Sequence, residues 1–316
     1  MPELKSTDRQ ELLRSIKQRY ETLLDTFPVE LRPDMIRSYS PDDFNSPGLL
    51  SLVALPFWVG NRLRLPDDIC RAMAVGNLFL LHSFQSFDFV IDGDRPDTSN
   101  RSQIILGSLC HLQVMNHYRP YFTPDSEFWE RMNIYWQEWG ESILWEAREG
   151  AWRLPFAEDA LFLTAHKSAA LKICPTGLAL LAEQPDLIPA FEQAVDLMHA
   201  TMQLIDDLKD WREDLQHQRY NSFLGMLIAE KLIDADRPPT PQGIAALMVG
   251  GDALARYARI VHAYAAKARE VIGPLNIEPW AQLVSGLAEY ATRMTEKYER
   301  LLDMFSFEEG DLKPAG

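Results

Sequence analysis

The sequence predicts an all-α protein. Apolar residues recur at helical spacing through most of its 316 residues, and no series of alternating strand patterns is bounded by hairpin turns. Proline and glycine punctuate the chain at intervals of helix length. No repeat of 20 to 50 residues is present, so a helical solenoid is not supported.

The first helix is expected from about Asp8 to Leu24, with Ser6 and Thr7 as caps and Pro28 beyond its end. Repeated prolines between 28 and 66 predict loops with one short helix at most. Pro66 then opens a long apolar helix that runs through DFVID to Gly93 and Pro96. Further helices are expected near 101–118, 126–150, 156–183, 186–217, 219–234, 240–272 and 278–308. The best linker candidate, DRPPTPQG at 236–243, is short and has similar helices on both sides, so a single domain over 1–316 is expected, with 1–40 as a peripheral helix and loop. In EFWERMNIYWQEWGESILWE, Trp129, Met132, Trp136 and Trp139 fall at helical spacing and read as a packed face.

Composition excludes several function classes. A formal charge of -15 makes nucleic acid an unsuitable partner, because phosphate recognition needs a basic footprint. An acidic protein that handles an anionic substrate needs bound cations. Cys70, Cys110 and Cys174 are odd in number, widely spaced and without a CxxC pair, which predicts reduced, buried thiols. The polar opening MPELKSTDRQELL lacks the layout of a secretory signal, and a cytoplasmic protein is expected. AMAVGNLFLLHSFQSFDFVI carries Asn77, His82, Gln85 and Asp88, so it is expected to be a core helix and no integral membrane segment is expected. His82 is expected to be a satisfied buried histidine.

Two acidic clusters carry the chemistry. Asp206, Asp210 and Asp214 recur at i, i+4 and i+8 and share one helical stripe, with Asp207 beside it. Asp88 and Asp92 stand at the end of another apolar helix, among Phe84, Phe87, Phe89, Val90 and Ile91. Carboxylates at the edge of a core are costly unless a cation compensates them. Oxygen-only ligation suits Mg2+, and the absence of His and Cys from both clusters disfavours zinc. The competing reading of DDLKDWRED is a solvated face on which Lys209 and Arg212 pair with the acids.

MQLIDDLKD resembles the FQxxDDxxD motif of the trans-polyprenyl diphosphate synthases, with Met202 in place of Phe and Gln203, Asp206, Asp207 and Asp210 matching. Asp214 fits that family's further aspartate. DFVID resembles its first DDxxD motif, with Phe89 replacing the second Asp and Asp88 and Asp92 kept. HKSAAL resembles its KTxxL element, so Lys167 is expected to grip the diphosphate and Ser168 to mark a helix break. The resemblance covers about residues 60 to 225. It implies the class I isoprenoid synthase fold, a helical bundle around a deep central cavity, with Mg2+, three ions with bound diphosphate, held by Asp88, Asp92, Asp206, Asp210 and Asp214. Gln203, Lys167, Phe84 and Phe87 are the substrate-binding candidates it implies.

The resemblance fails where chain-elongating members hold a second diphosphate. Their GGKRxRP element finds only GNRLRLP at Gly60 to Pro66, and Asp97 and Thr98 stand where paired arginines are expected. A site short of cations is poorly suited to a second diphosphate. What remains implies a class I terpene synthase that ionises one allylic prenyl diphosphate, C15 or C20, with bulky Phe84 favouring the shorter. Phe89 and Trp211 join Phe84 and Phe87 as candidates for lining a carbocation pocket. Arg293 and Tyr298 are weaker diphosphate candidates, and an ordinary amphipathic helix explains them equally well. A short-chain trans-prenyl diphosphate synthase and a non-catalytic partner subunit of such a synthase stay open as alternatives. A homodimer is expected by the same resemblance.

Overall fold

The computed structural model describes residues 6–31, 47–92, 100–146, 148, 150–237, 239–250 and 252–310. These hold twelve α-helices and no strand. In chain order the first six are α1 (Ser6–Leu24), α2 (Pro47–Leu63), α3 (Asp67–Asp92), α4 (Asn100–Tyr118), α5 (Glu127–Glu146) and α6 (Glu158–Ala165). The rest are α7 (Ile173–Leu181), α8 (Ile188–His217), α9 (Ser222–Ala229), α10 (Pro241–Gly250), α11 (Ala253–Leu275) and α12 (Glu278–Gly310). The chain gathers into two compact units of interleaved segments. One comprises Met1–Tyr135, Ala170–Glu192 and Leu275–Trp280; the other comprises Trp136–Ala169, Gln193–Pro274 and Ala281–Gly316. The 236–243 segment lies inside the second unit and marks no boundary.

The first unit is organised on α3, which packs against α1, α2 and α4. Asp67 and Asp68 occupy its first turn, where negative charge complements the helix dipole. Met73, Ala74, Val75, Leu78, Phe79 and Leu80 are buried along it. This is the one helix, among the described residues, long and apolar enough to cross a membrane by length and composition, and 61% of its apolar window is buried inside the protein. On α1, Ile16, Tyr20 and Leu24 are buried four residues apart, as a single helix stripe requires. Tyr20 stacks its ring on His82, and its hydroxyl is hydrogen-bonded to His82 Nδ1. His82 is thus a buried core histidine, bonded through Nδ1. Cys70, Cys110 and Cys174 are free and buried, and burial pushes the Cys70 thiol up to about 12.

Helix α2 corrects the expectation of loops between 28 and 66. It runs for 17 residues with Pro56 inside it. An interior proline costs about 3 kcal/mol in a helix. Leu52, Val53, Leu55, Phe57, Trp58 and Val59 are all buried around it, and each such burial contributes roughly 1.5–3 kcal/mol. Tertiary packing therefore overrides the local signal. The seam of α5 also differs in detail from the expected tryptophan stripe. Phe128, Met132 and Tyr135 form its buried face, while Trp129, Trp136 and Trp139 are half-buried.

His117, near the end of α4, bonds through Nδ1 with the Gln113 carbonyl at 2.7 Å. Burial, and then the nearby Arg19 charge, hold its pKa below the ordinary value, and burial lowers that of His111 as well. Below about pH 6.5 the unfolded chain takes up protons that the folded chain declines. Stability is therefore expected to fall as the pH drops through that range. His117→Gln should flatten this part of a denaturant-midpoint profile, and an unchanged slope would count against the burial of a neutral imidazole.

In the second unit, α11 buries Leu254, Tyr257, Val261, Ala265, Ala268 and Ile272 at spacings of three and four, the stripe of an amphipathic helix. Three expected helices are redrawn along the chain. The 156–183 helix is interrupted by a 3-10 turn, His166–Lys172, which separates α6 from α7. The 219–234 helix is only α9, because Lys231 adopts φ 59° and Leu232 N–H returns to the Leu227 carbonyl at 2.9 Å. The 240–272 helix divides into α10 and α11, with Asp252 at φ 52° between them.

Candidate functional site

Helix α8 carries the second acidic cluster as expected. Its apolar run, through Val195, Met198, Leu204, Ile205 and Leu208, anchors one face in the core. Gln218 at φ 57° ends the helix, and Arg219 N–H closes on the Asp214 carbonyl at 2.9 Å. Asp206 and Asp210 are exposed, and Asp214 is half-buried. Partial desolvation of the carboxyl, and then the neighbouring Asp206 charge, raise the pKa of Asp210. Asp214 is pushed up to about 6, chiefly by burial, with Glu146 and Asp210 adding to the rise and Lys167 opposing it. Neighbouring carboxylates that raise the pKa of Asp210 and Asp214 favour a cation close by. Lys209 supplies one locally: its Nζ donates to Asp206 Oδ1 at 2.7 Å and lies 5.3 Å from the centre of the Tyr290 ring.

Asp207 has a different environment from its neighbours. It is buried, its Oδ2 accepts from the Ser222 N–H at 2.7 Å, and its Oδ1 accepts from Gln203 Nε2 at 2.7 Å. Burial raises its pKa to about 7. It ties α8 to the start of α9, and Gln203, a sequence candidate for substrate, is its partner. The surface-face reading of DDLKDWRED is thus met at Asp206 and Lys209 but not at Asp207.

Lys167 stands on the 3-10 turn between α6 and α7, so the helix break expected at Ser168 is present. The Lys167 ammonium is ion-paired with Glu146, at the end of α5. Glu146, Lys167 and Asp214 act on one another electrostatically, which brings α5, the 3-10 turn and α8 to one locality in the second unit. Arg293 is exposed on α12, 3.6 Å from Glu289. Trp211 is buried, with the Arg212 guanidinium 5.1 Å from its ring centre.

The first cluster belongs to the first unit. Asp88 is half-buried near the end of α3. Asp92 is the last residue of that helix, and its side chain lies outside what the structure describes, as do Gly93, Pro96, Asp97 and Thr98. Phe84 is buried. The Phe87 ring lies over Gly107 of α4, where a Cβ would come within 2.9 Å of it. In GNRLRLP, Arg62 Nε donates to the Leu275 carbonyl at 2.7 Å.

Two residues of this locality were missed by the sequence reading. Asn221 caps α9 and also reaches Asp214 with Nδ2 at 2.7 Å. The cap is legible in NSFL before an apolar run, but the tie to Asp214 is not. Glu146 sits in an amphipathic pattern that gives no hint of Lys167. Among the described residues no three His, Cys, Asp or Glu converge closely enough to cage a metal by themselves. The donor set nevertheless fits Mg2+, which is held by a few carboxylates together with waters and substrate phosphates.

The helical architecture is a class I isoprenoid synthase-like fold. A decaprenyl diphosphate synthase from Rhodobacter capsulatus has the same fold, with a TM-score of 0.69 over 91% of this chain and 99% of that chain at 15% identity. No protein-family model and no curated protein matches the sequence.

Proposed function

We propose that this chain is an isoprenoid enzyme that acts on an allylic prenyl diphosphate with Mg2+, and that it ionises a single such substrate as a class I terpene synthase. The stripe Asp206, Asp210 and Asp214 on one face of α8, with the pKa values of Asp210 and Asp214 raised, is the observation that carries the metal assignment. The family resemblance of DFVID implies Asp88 and Asp92 as further metal ligands. Bound Mg2+ would supply the positive charge that turns diphosphate into a leaving group. The allylic C–O bond breaks heterolytically and its electron pair departs with the diphosphate; Lys167 would add positive charge there on exchanging Glu146 for the diphosphate. Phe84 and other aromatic faces are suited to flank cationic carbon.

The lack of basic residues for a second diphosphate favours a terpene synthase over chain elongation. Arg62, in the stretch that resembles the acceptor element, is bound to the Leu275 carbonyl. The fold likeness to a decaprenyl diphosphate synthase supports the second reading, a prenyl diphosphate synthase.

One incubation distinguishes them. Purified protein with Mg2+ receives geranyl, farnesyl or geranylgeranyl diphosphate, each with and without isopentenyl diphosphate. A hydrocarbon or alcohol from one allylic diphosphate alone is expected. Product formed only with isopentenyl diphosphate would establish the elongating enzyme instead, and no product under any condition would favour the non-catalytic subunit.

A further inference from the structure

We infer that Asn221 is a positioning residue for the Asp214 carboxylate, through which the start of α9 sets the metal-binding edge of α8; this rests on the metal reading proposed above. Asn221 is buried and every hydrogen-bonding group of its side chain is engaged. Oδ1 accepts from the N–H groups of Phe223 at 3.0 Å and Leu224 at 3.1 Å, which makes Asn221 the N-cap of α9. Nδ2 donates to the Asp207 carbonyl at 2.7 Å and to Asp214 Oδ2 at 2.7 Å. Two donors on one side of the amide and two acceptors on the other fix which end is oxygen and which is nitrogen.

The cap is thus a clamp with two jaws. One jaw holds the first turn of α9, and the other holds α8 at two points seven residues apart, Asp207 and Asp214. Ser222 N–H on Asp207 Oδ2 adds a third link between the same two helices. Fixing Oδ2 sets the plane of the Asp214 carboxyl and counters the repulsion of the nearby Glu146 and Asp210 charges. A side chain that orients a metal-binding carboxylate in this way changes metal affinity without touching the metal, typically about 10–100-fold.

The test compares Asn221→Ser, Asn221→Gly, Asp214→Asn and the double variant Asn221→Ser with Asp214→Asn. Mn2+ is titrated into each protein with inorganic diphosphate, free Mn2+ is read by its paramagnetic resonance signal, and melting is recorded without metal. Serine keeps a capping oxygen but loses the amide donor, and glycine is well tolerated at caps, so it carries the comparison if the serine variant does not fold. The expected result is a loss of Mn2+ affinity of about tenfold or more in the Asn221 variants with cooperative melting retained. The double variant should bind no more weakly than Asp214→Asn alone, because the two residues act as one unit. Unchanged affinity in both Asn221 variants, or losses that add in the double variant, would overturn the positioning role while a weakened Asp214→Asn leaves the metal reading standing. Unchanged affinity in Asp214→Asn overturns both.

Discussion

Asp206→Asn and Asp88→Asn are each expected to lower turnover of an allylic diphosphate by about 10²–10³-fold, the loss usual when a single group that stabilises developing charge is removed. Both changes preserve shape, and neither should alter folding. Asp206 is exposed and paired with Lys209, and Asp88 is half-buried at the end of a helix whose stability lies in its buried middle. Asparagine keeps an oxygen that can ligate but loses the charge, which is the term that matters for a hard cation facing a diphosphate. Circular dichroism and melting curves establish that the fold survives, and product yield under saturating Mg2+ gives the catalytic effect. Full activity in both variants would sink the metal assignment. A loss for Asp206→Asn with Asp88→Asn unaffected would place the ions on the second motif alone.

The largest effect on stability is expected from Gly225→Ala. A Cβ at this position in α9 would lie 2.9 Å from the Phe156 amide nitrogen and 3.1 Å from the Leu154 carbonyl oxygen. Both obstacles are backbone, so no side-chain rotation relieves them. Helix α9 also cannot withdraw, because Asn221 and Ser222 bind its first turn to α8 and its buried residues Phe223, Leu224, Met226 and Leu227 fill the core behind it. We expect a loss of about 3 kcal/mol, the upper part of the range for overpacking, measured as a lower denaturant midpoint with unchanged slope. Alanine's better helix propensity returns only about 1 kcal/mol. A variant as stable as the parent would mean that the 154–156 segment moves freely away from α9.

The sequence is least informative where packing overrides a local signal. Proline punctuation between 28 and 66 argues against α2 because it is a local signal, whereas the force that holds Pro56 in a helix comes from six apolar side chains buried around it. Apolar periodicity draws 156–183 as one helix, while the same residues, matched to the KTxxL element, imply a break at Ser168; the break is there. In the acidic motif helical spacing places Asp206, Asp210 and Asp214 on one stripe but leaves Asp207 simply beside them. A fourth carboxylate in a charged run looks like surface, and only the arrival of α9, fifteen residues further on, turns it into a buried acceptor.

The sequence alone determined the helical class, most helix positions and the stripe of carboxylates, because these depend on spacing along the chain: 3.6 residues per turn converts sequence separation directly into a shared face. Tertiary structure alone decided that Asp207 accepts from the Ser222 N–H, that Lys167 is paired with Glu146, and that Asn221 is bonded to Asp214. Hydrogen bonds and ion pairs act over about 3 Å between groups that the chain brings together from distant positions, so their partners are set by packing and not by local pattern.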